Sequence, residues 1–283
     1  MIRTLSLVIA ALGFPLALAH AQDERTEEVR FVSHGETFAG SIVWPKGKSA
    51  TAAVVFIHGS GPQTRNIELA RRFADRGIAA LVYDKRGVGK SGGTYEGNQS
   101  VTGMNISLLA DDAVAALNAL AARAELRAVP VGFAGISQAG WIAPLAATRT
   151  HHAKFLLLWS APVSRVSEED IYSKFTRDTD GPDRPTFATA LAARTSPYVW
   201  PTDLLGRDTD PVEDLAQLSI PGFWIFGGQG GSIPVDLSIR NLSALRAAGH
   251  QFEHTLFAEQ GHNNMGPTFD AAIAWVRRAV TLR

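Results

Sequence analysis

A chain of 283 residues, 46% hydrophobic and 19% charged, is long and apolar enough to bury a large core. Lys plus Arg and Asp plus Glu cancel at 27 each, so the chain lacks the basic excess of a nucleic-acid binder. It has no cysteine, which excludes disulfides, thiol-linked lipid, thiolate metal sites and a cysteine nucleophile together.

In chain order, the first segment reads as a leader. Arg3 precedes LSLVIAALGFPLAL, an apolar run too short to span a bilayer comfortably, and Ala19-His20-Ala21 then supplies small residues. This predicts a signal peptide over 1–21 with cleavage after Ala21. The mature chain, 22–283, is expected to be exported to the periplasm or beyond, with no stable membrane anchor. EVRFVSHGETFAGSIVWP follows as two strands with a turn at His34-Gly35. TAAVVFIHGSGP is an apolar strand entering a glycine turn. NIELARRFADRG has helical spacing at Ile67, Ala70 and Phe73, and Gly77 stops it. IAALVYDKRG is another buried strand. NISLLADDAVAALNALAARAEL is an amphipathic helix with Ile106, Leu109, Ala113, Leu117 and Leu120 on one face. VPVGFAGISQAGWIAPLAA reads as strand, sharp turn and helix. KFLLLWSAP and IPGFWIFGG are strands, DLSIRNLSALRAAG a helix, QFEHTLFAE a strand and TFDAAIAWVRRAV a closing helix.

Strands that alternate with helices and are apolar throughout predict the α/β class, a mostly parallel sheet covered on both faces. Residues 163–217 break the rhythm. They are polar and rich in Pro, Asp and Thr, and are expected to form a cap inserted over the C-terminal edge of the sheet.

The chemistry concentrates at three places. GFAGISQAGW puts Ser137 on a tight turn between a strand and a helix, close to the G-x-S-x-G elbow, with Ala139 at the last glycine position. Small residues around the serine permit the strained turn, and the helix N-terminus favours a developing oxyanion. The competing reading is a plain N-cap serine. FIHGSGP supplies turning amides, so the N–H groups of Ser60 and Gln138 are expected to form the oxyanion hole. His58 is expected to brace that loop. FAEQGHNNM places His262 in the last loop before the last helix, the candidate general base. His151, His152 and His254 are weaker candidates. Gly89-Lys90-Ser91 imitates a phosphate-binding loop, but Asp84 stands where that loop needs glycine. Asp84 and Arg86 are expected to pair with each other and hold this loop.

HGSGP, YDKRGVGKS, GISQAGWIAP and GHNN, in this order and at these separations, resemble the bacterial α/β-hydrolase superfamily, in particular its exported esterase-like or serine-aminopeptidase-like members. The resemblance covers about residues 29 to 283. It implies the α/β-hydrolase fold, a Ser–His–acid triad, an ester, thioester or amide substrate and no cofactor.

One departure stands out. In WIFGGQGGSIPVD, aligning Ser-Ile-Pro with the family's usual Ser-Val-Pro puts Gly230 where the triad aspartate belongs. Another acid then substitutes, or the enzyme works as a Ser–His dyad, or the protein binds without turning over. Asp236 is the nearest substitute in sequence. Its competing role is to open a helix. Glu168 and Glu169 follow the preceding strand, and Asp203, Asp208, Asp210 and Glu213 lie in the cap or its exit. The expectation is acyl transfer from a small-to-medium carboxylic ester through an acyl-enzyme on Ser137. Amide and thioester hydrolysis, and a non-catalytic binding role, stay open.

Overall fold

Two kinds of strand follow from the apolar patterning, and they occupy different places in the sheet. The computed structural model describes residues 25–97 and 100–281, so the expected leader lies outside the described residues. Strand β1 (Thr26–Ser33) alternates exposed and buried residues, as an edge strand with one wet face does. It pairs antiparallel with β2 (Glu36–Val43) through the His34-Gly35 turn, where φ is positive at both residues, 49° and 78°. That combination matches the twist of a two-residue hairpin.

The inner strands β3 (Ala52–Ile57), β4 (Ile78–Tyr83), β5 (Val131–Ile136), β6 (Ala153–Trp159) and β7 (Gly222–Gly227) are almost wholly buried. β8 (Phe252–Phe257) closes the far edge. The order among these eight is β1-β2-β4-β3-β5-β6-β7-β8. β2 runs antiparallel to β4, and the pairs from β4 to β8 are parallel.

Helices cover both faces, as apolar parallel strands require. On one face lie α2 (Gly103–Ala121), α3 (Ala139–Thr148) and α8 (Val235–Ala247), which share a core with Phe133, Leu158 and Trp224. On the other lie α1 (Ile67–Ala74) and α9 (Met265–Thr281), packed with Phe155, Trp159 and Ile225. Trp159 stacks on Phe269, and its indole N–H donates to Thr268 Oγ1 at 3.0 Å. The start of α9 is thereby tied to the C-terminal end of β6.

Between β6 and β7 run four short helices: α4 (Val166–Thr176), α5 (Phe187–Ala192), α6 (Thr202–Leu205) and α7 (Pro211–Leu215). This is the stretch expected to form a cap. Its first half has a small core of its own, Ile171, Tyr172, Phe187 and Ala190, which is closed by Leu237 of α8.

Candidate active site

Ser137 joins β5 to α3 in a left-handed conformation, φ 55°. A non-glycine residue held there stores of order 1–3 kcal/mol, which the surroundings must offset. They do so by crowding. The Ser137 N–H donates to Trp159 O at 3.0 Å. A Cβ on Gly135 would stand 2.5 Å from Ala139 Cβ, and one on Gly140 would stand 2.5 Å from Pro162 O. The departure from the usual elbow is thereby explained: Ala139 fits because Gly135 has no side chain. The Ser137 hydroxyl makes no hydrogen bond among the described residues.

The two expected oxyanion amides, Ser60 N–H and Gln138 N–H, likewise have no hydrogen-bond acceptor among the described residues. Gly59 lies against the serine, since a Cβ there would sit 3.4 Å from Ser137 Cβ. The residue that holds the Ser60 amide and the Gln138 side chain is one the sequence reading did not single out. Lys85, 3% exposed, donates to Gly59 O at 2.9 Å and to Gln138 Oε1 at 2.8 Å. Gly59 O and Ser60 N–H belong to one peptide group, so holding the carbonyl aims the N–H. Gln138 Nε2 in turn donates to Ser100 O at 2.7 Å. Burial pushes the Lys85 ammonium down to about 8.

His58 braces this loop as expected. Its ring donates from Nε2 to Tyr83 O at 2.5 Å, and burial pushes its pKa down to about 4, so it stays neutral. Asp84 and Arg86 do not pair with each other, contrary to expectation. Asp84 accepts the backbone N–H groups of Arg65 and Lys90, each at 2.9 Å. Arg86 instead forms a two-pronged ion pair with Asp112 of α2, one contact at 2.8 Å, with both side chains buried. One side chain thus closes the loop while the next locks it to a helix.

His262 sits in the loop between β8 and α9. No hydrogen bond joins it to Ser137 Oγ among the described residues. Its Nδ1 is buried without a partner. Burial holds the ring pKa below the ordinary histidine value, while the Asp180 and Asp178 carboxylates pull it back up. A neutral base at neutral pH results.

The expected substitute acids are engaged elsewhere. Asp236 turns toward α5, where both its oxygens accept the Phe187 N–H, at 3.0 and 3.2 Å. Glu168 closes the first turn of its own helix by accepting Arg165 N–H at 2.8 Å. Glu169 is pushed up to about 8 by burial and by Asp178 and Asp170 beside it. Asp208 holds Ser167, Asp210 caps α7, and Glu213 pairs with Arg207. Asp203 lies in the first turn of α6. His151 and His152 lie against each other after α3 with their rings tilted by 39°, and His254 lies within β8. Gly230 does face the histidine: a Cβ there would come within 3.4 Å of His262 N and 3.5 Å of its Cα. The carboxylate that occupies this neighbourhood is Asp180, which accepts His262 N–H at 2.8 Å. It was missed because its cap segment docks from a distant part of the chain, and no local pattern announces that contact.

Comparison with known proteins agrees with this fold. The sequence pattern of the family described as serine aminopeptidase, S33 matches residues 48–216. No curated protein matches the chain. Among solved structures, an esterase of Pyrococcus furiosus superposes with a TM-score of 0.65 at 15% identity, covering 91% of each chain. A lipase in its open form gives 0.65 at 18% identity, over 90% of this chain and 99% of that one. The acylaminoacyl peptidase of Pyrococcus horikoshii gives 0.59 at 17% identity, over 86% of this chain. This chain spans only 38% of that peptidase's length. At these identities the neighbours establish the fold.

Proposed function

The chain belongs to the serine aminopeptidase S33 family of α/β-hydrolases and is a hydrolase of that serine type, and from this premise we propose that it cleaves small-to-medium carboxylic esters through an acyl-enzyme on Ser137. The observation that carries the reading is the left-handed Ser137 between a buried strand and a helix, beside two amides with nothing else to bind. The hydroxyl attacks the carbonyl carbon and its proton passes to Nε2 of His262. Ser60 and Gln138 N–H groups hold the oxygen that becomes negative. The tetrahedral species expels the alcohol, which leaves with the histidine's proton. Water then attacks the acyl carbon, again losing its proton to His262, and Ser137 is regenerated as the acid leaves.

Ester rather than peptide is favoured by the short cap, four helices of at most 11 residues. Amide hydrolysis is the second reading, favoured by the family's aminopeptidase description. The proposal includes export, which rests on the leader pattern of residues 1–21. The test is a panel of p-nitrophenyl esters, p-nitroanilides and a thioester, run on the purified protein and on Ser137→Ala. Ester turnover lost in the variant is expected. Faster turnover of anilides than of esters would reverse the choice of substrate.

A further inference from the structure

The run Gly227-Gly228-Gln229-Gly230-Gly231 has lost its aspartate, and the structure shows what it receives instead. Residues 179–181 of the β6–β7 segment lie against it. Gly181 N–H donates to Gln229 O at 2.8 Å, and Thr176 Oγ1 donates to Gly231 O. Asp180 then bridges the two loops that matter. Its Oδ1 accepts Gly231 N–H at 2.9 Å and its Oδ2 accepts His262 N–H at 2.8 Å.

The fit depends on missing side chains. A Cβ on Gly231 would overlap Thr179 O, and one on Gly261 would overlap Asp180 Oδ2. The approach also depends on strain, since Arg177 and Asp178 both take left-handed backbone, φ 56° and 51°. Two consecutive non-glycine residues in that region persist only where tertiary contacts hold them.

We infer that Asp180, borne by the cap segment, replaces the missing loop acid as the residue that positions and charges His262. This rests on the proposed serine-hydrolase mechanism. Asp180 touches no reacting atom, so it is a positioning residue. Its carboxylate is anchored beside a histidine whose Nδ1 is buried and otherwise without a partner. In the resting structure the contact is to the backbone N–H. When His262 takes the serine's proton, the Nδ1–H becomes a donor on a ring that already feels the Asp180 charge, and catalytic hydrogen bonds commonly tighten only in the reacting complex. The charged groups that act on the ring are Asp180 and Asp178, with desolvation opposing them. Glu169, next to Asp178, is the further acidic neighbour on α4. Because the acid arrives on the cap, an undocked cap would leave His262 without it. Cap docking and catalytic competence are thereby coupled.

The test uses Asp180→Asn, Asp180→Ala and the double variant Asp180→Ala with Gly230→Asp. The last restores a carboxylate at the position the family normally uses, where a Cβ would meet Gly227 O at 3.3 Å and needs only a shift of a few tenths of an ångström. Two readouts are taken. The His262 pKa is followed by NMR of the ring protons, which requires no substrate. The kcat and KM for p-nitrophenyl butyrate are measured against pH. Expected are a His262 pKa lowered in both single variants, a kcat loss of roughly 10³- to 10⁴-fold with KM little changed, and recovery of at least about 10-fold in the double variant. An unchanged His262 pKa would overturn the inference, as would a kcat loss without pH shift that Gly230→Asp does not relieve. A lowered His262 pKa in a protein whose Ser137→Ala variant is as active as wild type would instead support the Asp180–His262 link and overturn the acyl-enzyme reading.

Discussion

Lys85→Met is the most informative single substitution in the loops around Ser137. The wild-type ammonium is 3% exposed and buried between Gly59 O and Gln138 Oε1. Burial moves its pKa from 10.5 to about 8. That gap of about 2.5 units, at 1.36 kcal/mol each, makes the charged form about 3 kcal/mol less favourable in the folded than in the unfolded chain. Between pH 8 and 10.5 the unfolded chain holds the proton and the folded chain does not. Stability contributed at this site therefore rises with pH through that window. The full cost is present below pH 8 and gone above 10.5. Methionine carries no such cost. Urea unfolding from about pH 7 to pH 10.5 should show wild type gaining about 3 kcal/mol relative to Lys85→Met as pH rises. The variant should also lose roughly 10- to 100-fold in kcat, because the Gly59–Ser60 peptide and the Gln138 side chain are then no longer held. A stability difference that does not change with pH would refute the reasoning. So would full activity in the variant, because the clamp would then have no catalytic role.

Two further substitutions separate local from catalytic effects. Asp236→Asn should keep ester turnover within a few-fold and lower stability by about 1 kcal/mol, since its carboxylate accepts Phe187 N–H; a kcat loss of 1,000-fold, measured as above, would return the acid role to Asp236. Asp112→Ala should destabilise by about 3–5 kcal/mol in urea, because it strands the buried Arg86 guanidinium. Replacing both partners with leucine should cost less than the single change, by the same measurement.

What the sequence revealed depended on how local each feature was. The elbow was legible because strand, tight turn and helix are contiguous, and Ala139 could be judged by size alone. The His34-Gly35 hairpin and the apolar inner strands were legible for the same reason, through period and turn chemistry. The Asp84–Arg86 pairing failed because each residue meets a partner that only the tertiary fold brings near, Asp84 the backbone N–H of Arg65 and Arg86 the carboxylate of Asp112 on α2. Lys85, between them, carries no local signal of burial. Only the tertiary fold places it under Gly59 and Gln138. Asp180 was hidden more deeply. Its meaning requires that a polar insertion fold back onto Gly231 and Gly261, and only the absence of side chains at those glycines points to something docking there. The glycine run was read as a corner that has lost its acid, but not as the seat on which residues 179–181 dock.

The central claim is that Ser137 is an activated nucleophile. Incubation of the purified protein with a fluorophosphonate, followed by peptide mass spectrometry, tests it without knowledge of the substrate. A single phosphonyl adduct on Ser137 is predicted, absent from Ser137→Ala and slowed in His262→Ala. An unlabelled wild-type protein, or one labelled at another serine, would contradict it.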